Sequence, residues 1–127
     1  MWTHGHFYWN ELMTGDVNKA KAFYAKTLGW TYEDMAMPEG TYHVVRDGGP
    51  VPIGGIMQMP NDVPPGTPPH WFSYIAVDDI DKRLAALRES GGQVLKPAFD
   101  VPGVGRIAIV ADPTGAMMGW MTPAPQE

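Results

Sequence analysis

The chain has 127 residues, 44% of them hydrophobic, which is enough to bury the core of one domain. Its formal net charge of −5 and its lack of a Lys/Arg cluster argue against a nucleic-acid partner. The absence of cysteine excludes disulfides, thiolate metal sites and cysteine nucleophiles. No apolar run approaches the roughly 18–20 residues of a membrane span, and the start MWTHGHFYWNEL has no secretory pattern. We therefore expect a cytoplasmic protein with no membrane partner.

The first half of the chain predicts one strand, one helix and three further strands. Residues 6–13 are rich in aromatic side chains, which is typical of a strand. Apolar residues at helical spacing follow the capping candidate Asp16 and predict a helix that stops at Gly29. Shorter extended runs, separated by Gly and Pro, lie at 30–36, 41–46 and 51–59.

The second half repeats this order after a proline-rich connection over residues 61–70. A strand is predicted over 71–77. A helix follows the capping candidates Asp78 and Asp79, with Gly91 as its C-cap. Three further strands are predicted, at 93–97, 106–111 and 116–121.

A shift of 63 residues superimposes the two halves, and it places Asp16 on Asp79. Few residues are identical, but the order of elements also repeats, which chance explains poorly. We therefore predict an α+β fold with two βαβββ modules in one domain. The predicted boundaries are 1–127 for the domain, 1–60 and 71–127 for the modules, and 61–70 for the linker.

Three segments resemble the vicinal oxygen chelate superfamily, which includes glyoxalase I, bleomycin resistance proteins and extradiol dioxygenases. They are TGDVNKAKAFYAKTLGW (14–30), IAVDDIDKRLAALRESGG (75–92) and VADPTGAMMGW (110–120). The resemblance implies that the modules pair into a curved mixed sheet that encloses a cavity. Exposed sheet edges and the long linker also predict a homodimer.

The resemblance also implies where a metal would bind, because metal-using members take one ligand from the first and last strand of each half. The matching positions are Trp9, Ile56, Phe72 and Gly119. None has the imidazole or carboxylate that a divalent cation needs in a site without cysteine. We therefore expect no metal at the usual site and no cofactor.

Glu11 is the leading candidate for a functional side chain, because strand alternation puts it on the same face as Trp9. Burial among aromatic residues raises the pKa of a carboxylate, as a general base or a hydrogen-bonding anchor requires. The structural alternative is a salt-bridge partner for Arg46 or Arg106.

Other side chains are expected to line the cavity with Glu11. Tyr74 overlays Glu11 in the repeat and offers a hydroxyl group, with an aromatic core residue as the alternative. Met117 and Met121 flank Gly119 on one strand face, as either a pocket wall or ordinary core. The remaining candidate ligand-binding residues are Trp9, His43, Gln58 and Phe72.

Three functions fit these observations. The first is a glyoxalase- or bleomycin-resistance-like protein that binds a small aromatic or apolar molecule. The second is an enzyme of the lyase, isomerase or dioxygenase type, in which Glu11 acts with Tyr74 or His43, with or without an atypical metal site. The third is an accessory module that contacts a partner protein.

Overall fold

The α+β class and the repeated βαβββ order are confirmed by the computed structural model, which describes residues 2–37 and 40–125. The first series comprises β1 (Phe7–Thr14), α1 (Val17–Leu28), β2 (Thr31–Met37), β3 (Gly40–Arg46) and β4 (Gly54–Gln58). The second comprises β5 (His70–Ala76), α2 (Ile80–Glu89), β6 (Gln93–Val101), β7 (Gly105–Ala111) and β8 (Met117–Pro123). Among these residues, those between 10 and 72 form one compact unit, and residues 2–9 with 73–125 form another.

Helix α1 begins and ends where the sequence predicts. The Asp16 side chain accepts a hydrogen bond from the backbone N–H of Lys19 at 3.0 Å, which satisfies one of the unpaired donors of the first turn. Gly29 takes a left-handed conformation with φ of 74° and donates its N–H to the Ala25 carbonyl. The short polar residue and the glycine therefore define both ends of the helix.

Helix α2 begins as predicted and ends one residue earlier than expected. Asp79 caps it by accepting from the Lys82 N–H at 3.2 Å. The expectation of Gly91 as C-cap is wrong, because Ser90 holds that position and donates its N–H to the Ala86 carbonyl. Gly91 is the next residue and takes the left-handed φ of 89°, where glycine is favoured just after a helix end.

In the unit of residues 10–72, the strand order is β2-β3-β4-β1. Strand β1 runs parallel to β4, with Glu11 opposite Gly55 and Leu12 opposite Ile56. Strand β4 is antiparallel to β3, with Val44 opposite Gly55. Because side chains alternate along each strand, Glu11, Val44 and Gly55 share one face of the sheet.

Helix α1 covers the opposite face of that sheet. Leu12, Val45 and Ile56 are buried there, and residues of α1 pack against them. This burial follows from the alternation of apolar residues along β1, β3 and β4. The helix-covered side is called the α1 face below, and the side with Glu11 is called the Glu11 face.

In the other unit, the strand order is β5-β8-β7-β6, with β5 parallel to β8. The α2 residues Ile80, Leu84 and Leu87 form a core with Ala108 and Val110 of β7. Their spacing is that of a one-sided helix, as the sequence predicts. Among the residues that the structure describes, no helix is long and apolar enough to cross a membrane.

Strand β6 differs most from its predicted bounds, since it extends over Gln93–Val101 rather than 93–97. Pro97 lacks a backbone donor, but it is accommodated because β6 lies at the end of the strand order and its pairing with β7 shifts on both sides of Lys96. The other strands begin and end within three residues of the prediction.

Candidate functional site

Glu11 is a buried carboxylate near the middle of β1, with only 5% of the residue exposed. The phenol of Tyr42, on β3, donates a hydrogen bond of 2.9 Å to Glu11 Oε1. Burying an ionised group is costly unless hydrogen bonds replace its water, and the Tyr42 hydroxyl supplies one. The two side chains lie on the Glu11 face, two strands apart.

A glycine on the intervening strand makes this hydrogen bond possible. Gly55 lies directly opposite Glu11 on β4, and the Tyr42 ring occupies the space above it. A Cβ atom added to Gly55 would overlap Oη, Cζ and Cε2 of Tyr42. The missing side chain on β4 therefore lets the ring cross the strand and reach the carboxylate.

The nearest neighbours of Glu11 along β1 and beside Gly55 on the Glu11 face are apolar. Met13 follows Glu11 at the next position on the same face of β1, and Val44 lies on β3 beside Gly55; both are buried. Met57, opposite Met13 on β4, is half-buried. An anionic acceptor set among methionine and valine side chains suits a molecule with an apolar body and a polar group.

The structural alternative for Glu11 was a salt bridge with an arginine. Arg46 instead forms an ion pair with Glu33 on β2. Arg106 pairs with Asp81 and Asp100. Both arginines are therefore bonded to exposed carboxylates, whereas Glu11 accepts a hydrogen bond from the phenol of Tyr42.

The expected orientation of β4 is wrong by one residue. Ile56 was assigned to the cavity side with Trp9, but it is completely buried on the α1 face, opposite Leu12. Gly55 and Met57 occupy the Glu11 face instead. A one-residue slip reverses every side chain of a strand, because strand side chains alternate with a period of two.

Gln58 shares the orientation of Ile56 and therefore lies on the α1 side of β4. Its amide Nε2 donates to the carbonyl oxygen of Gly15, just before α1, at 3.4 Å. The structure does not bring Gln58 together with Glu11.

His43 also lies on the α1 face, between α1 and β2. Its Nδ1 is 2.6 Å from Asp34 Oδ1 and 3.1 Å from Lys21 Nζ. An ionised carboxylate can only accept, so the contact with Asp34 requires the hydrogen on Nδ1, and Lys21 then interacts with Asp34 Oδ1 at 3.8 Å. The hydrogen bond from His43 lowers the pKa of Asp34 from its usual range. This cluster links α1 to the sheet.

In the second unit, Tyr74 packs against a glycine in a similar way. Tyr74 is buried on β5 and lies directly opposite Gly119 on β8. A Cβ at Gly119 would overlap Cδ2 and Cε2 of the Tyr74 ring. Met121 is buried on β8, whereas Met117 is 55% exposed at the start of that strand.

The two remaining predicted site residues are aromatic. Trp9 is half-buried on β1 and alternates onto the same side of that strand as Glu11. Phe72 is buried on β5, with its ring centroid 6.2 Å from that of His70.

The side chains at the family's metal positions do not suit a divalent cation. Trp9, Phe72 and Gly119 offer no carboxylate or imidazole, and neither Ile56 nor its neighbours Gly55 and Met57 do so. Within residues 2–37 and 40–125, no group of three or more His, Asp or Glu residues is arranged to hold a metal ion.

The chain belongs to the Glyoxalase/Bleomycin resistance protein/Dioxygenase superfamily, whose family model matches residues 5–118. It is 41% identical over 123 residues to a protein of Mycobacterium tuberculosis named "Putative glyoxylase CFP32", covering 97% of this chain and 46% of that one. It is 32% identical over 120 residues to the anthracycline biosynthesis protein DnrV of Streptomyces peucetius, and the match covers 85% of this chain and 43% of DnrV. The chain therefore spans about half the length of these relatives.

Solved structures share the fold at lower identity. A methylmalonyl-CoA epimerase from Mycobacterium tuberculosis has a TM-score of 0.69 and 18% identity, covering 95% of this chain and 89% of that one. A Streptomyces coelicolor methylmalonyl-CoA epimerase, solved with 2-nitronate-propionyl-CoA, has a TM-score of 0.70 and 17% identity. The match covers 97% of this chain and 100% of the epimerase chain. At these identities the likeness concerns the fold alone.

Proposed function

We propose that this chain is a small-molecule-binding module of the superfamily, in which the Glu11 carboxylate anchors an apolar or aromatic ligand without a metal at the usual site. The observation that carries this proposal is the buried Glu11, bonded to Tyr42 and bordered by Met13 and Val44. A carboxylate buried at such a cost, among residues that adapt to irregular apolar shapes, is suited to recognising a polar group on an apolar molecule.

The name of one relative is consistent with this ligand class. DnrV takes part in the biosynthesis of anthracyclines, which are fused-ring aromatic molecules with hydroxyl groups. A hydroxyl on an aromatic ring would donate to Glu11, and the ring would pack against the methionine side chains. We therefore propose hydroxylated aromatic molecules as the first class to test.

The test compares the wild type with Glu11→Gln in a thermal-shift assay with 2,6-dihydroxynaphthalene and related phenols, whose hydroxyl groups are free to donate. Glu11→Gln keeps the shape and one acceptor oxygen but removes the charge, and we expect binding to weaken by ~1–3 kcal/mol. Glu89→Gln, an exposed carboxylate on α2, is the matched control and should bind as the wild type does. Equal stabilisation of all three proteins, or of none, would reject Glu11 as the anchor for these molecules.

Proton transfer is a second candidate function, favoured by the relative that is named as a glyoxylase. Glu11 would take a proton from a hydroxyl-bearing carbon next to a carbonyl group and return it to the former carbonyl carbon, while the hydroxyl proton passes to the former carbonyl oxygen, so that this isomerisation needs no oxidant. Tyr42, rather than His43, would assist, because Tyr42 bonds to Glu11 and His43 lies on the α1 face. Hydrogen exchange of 2-oxoaldehyde hemithioacetals in D₂O, absent in Glu11→Gln, would distinguish catalysis from binding.

A homodimer is part of the same proposal. Phe23, Leu28 and Trp71 all expose large apolar surfaces on the unit of residues 10–72, and covering them would stabilise a two-copy assembly. Light scattering should give about twice the chain mass of 13.9 kDa. A monomer at micromolar concentration would remove the dimer from the proposal. The cytoplasmic location remains a prediction from the sequence, which lacks a secretory pattern and is consistent with a reducing compartment in having no cysteine.

A further inference from the structure

We infer that Tyr42 is a positioning residue for Glu11, that Gly55 is kept small to admit it, and that the pair selects ligands that donate a hydrogen bond. This inference rests on the proposed function, because it concerns the same carboxylate. Neither Tyr42 nor Gly55 occupies a position that the resemblance to the superfamily assigns to a metal ligand.

The need for glycine at position 55 is steric. Gly55 does not have a positive φ, so its backbone conformation is open to other residues. What excludes a larger residue is the Tyr42 ring, which fills the volume that a Cβ would take. Side-chain atoms do not interpenetrate in a packed interior, so any residue other than glycine must displace the phenol from Glu11 or distort β4.

The direction of the hydrogen bond determines what Tyr42 does to the carboxylate. The phenol has one hydrogen, and at 2.9 Å from Oε1 it donates that hydrogen to Glu11. A donor to the charged form favours ionisation, so Tyr42 maintains Glu11 as an anion and fixes one of its oxygens. Loss of that donor would shift the equilibrium toward the protonated acid, because burial disfavours the charged form.

The ligand class follows from the charge state. An ionised carboxylate only accepts, and its two oxygens together accept from more than one donor at a time. A ligand with an O–H or N–H group would be bound, whereas one that presents only a carbonyl or carboxylate oxygen would be repelled. Tyr42 would thereby set specificity without having to contact the ligand.

The first experiment measures the Glu11 carboxyl directly by ¹³C NMR titration of carboxyl-labelled protein, which needs no ligand. Tyr42→Phe removes only the hydroxyl, and Gly55→Ala displaces the ring; both should raise the pKa of Glu11 relative to the wild type. The matched controls are Tyr8→Phe, at an exposed tyrosine, and Gly15→Ala, where an added Cβ meets nothing within 4 Å. The controls should titrate as the wild type does.

Each outcome decides the inference. If the carboxyl titrates identically in Tyr42→Phe and the wild type, Tyr42 does not position Glu11 and the inference is overturned. Tyr42→Phe changes one atom, so it keeps the test decisive even if Gly55→Ala does not fold, which circular dichroism would detect. A purely structural role of Tyr42 would lower the melting temperature and leave the titration unchanged.

The second experiment separates this inference from the proposed function, using 2,6-dihydroxynaphthalene and its dimethoxy analogue as probes. The wild type should prefer the dihydroxy compound about tenfold, and Tyr42→Phe should lose most of that preference. Equal affinity of the wild type for both probes would overturn the specificity role. If neither probe binds but the titration changes as expected, positioning by Tyr42 stands and the proposed function is what fails.

Discussion

Replacing Ile56 by alanine tests the orientation of β4, on which the definition of the Glu11 face depends. Ile56 is completely buried and packs with Leu12 and Val45 beneath α1. The substitution removes three carbons, worth ~0.8 kcal/mol each in transfer free energy, or about 2.5 kcal/mol together. The cavity left under the helix adds to this, so the free energy of unfolding should fall by about 3–4 kcal/mol.

The assay is urea unfolding followed by circular dichroism, with Ile53→Ala as the control. Ile53 lies just before β4 and is 39% exposed, so the same chemical change should cost less than about 1 kcal/mol there. The NMR titration of Glu11 should be unchanged in Ile56→Ala, since Ile56 faces away from it. A loss below about 1 kcal/mol at Ile56, together with altered titration of Glu11, would mean that Ile56 lies on the Glu11 face and would refute the reasoning.

Three further predictions concern local contacts. Asp16→Ala removes the N-cap of α1 and should lower the free energy of unfolding by about 1 kcal/mol in urea titrations, whereas Asp16→Asn should retain most of it. Hydrogen bonding to His43 lowers the pKa of Asp34. The stability that Asp34 contributes is therefore present above the unfolded-state pKa near ~3.9 and is lost as the pH falls through the lower folded-state pKa. The free energies of unfolding of the wild type and Asp34→Asn should differ at pH 7 and converge in acid. Asp112 accepts from the N–H groups of Thr114 and Ala116, so Asp112→Ala should speed amide exchange at Ala116, and unchanged exchange would contradict this role.

The element order could be predicted because its signals are local. Caps at Asp16 and Asp79, glycines just after the helices, and runs of aromatic and β-branched residues each act over a few residues. The C-cap of α2 was placed one residue late, since Ser90 and Gly91 are adjacent candidates. The extension of β6 across Pro97 was missed because it depends on an edge position and shifted pairing that no local signal gives.

The site was predicted only in part, because the internal repeat fails by one residue at the last strand of each module. Glu11 pairs with Gly55, whereas its counterpart Tyr74 pairs with Gly119, and the 63-residue shift would place Gly55 on Met118. Transferring the orientation of β8 to β4 therefore reversed every side chain of β4.

Tyr42 and Gly55, which meet beside Glu11, were not predicted, and each for its own reason. Tyr42 and His43 are adjacent on β3, and the chemical versatility of histidine drew attention to the one that faces α1. The pattern on β3 carried a usable signal, because Val45 at the centre of the core implies that Tyr42 and Val44 face the other way. Gly55 gives no such signal, because glycine is needed there only to make room for the Tyr42 ring, which comes from β3.

The distribution of charge explains why a neutral donor, rather than an arginine, suits the Glu11 site. Arg46 and Arg106 are each bonded to exposed carboxylates, where the ion pairs cost little desolvation. An arginine beside a buried Glu11 would neutralise the charge and fill several of its lone pairs with rigid donors, leaving a salt bridge with little capacity for a ligand. The Tyr42 phenol supplies one hydrogen and no charge, so under the proposed function Glu11 offers an anionic acceptor to the ligand.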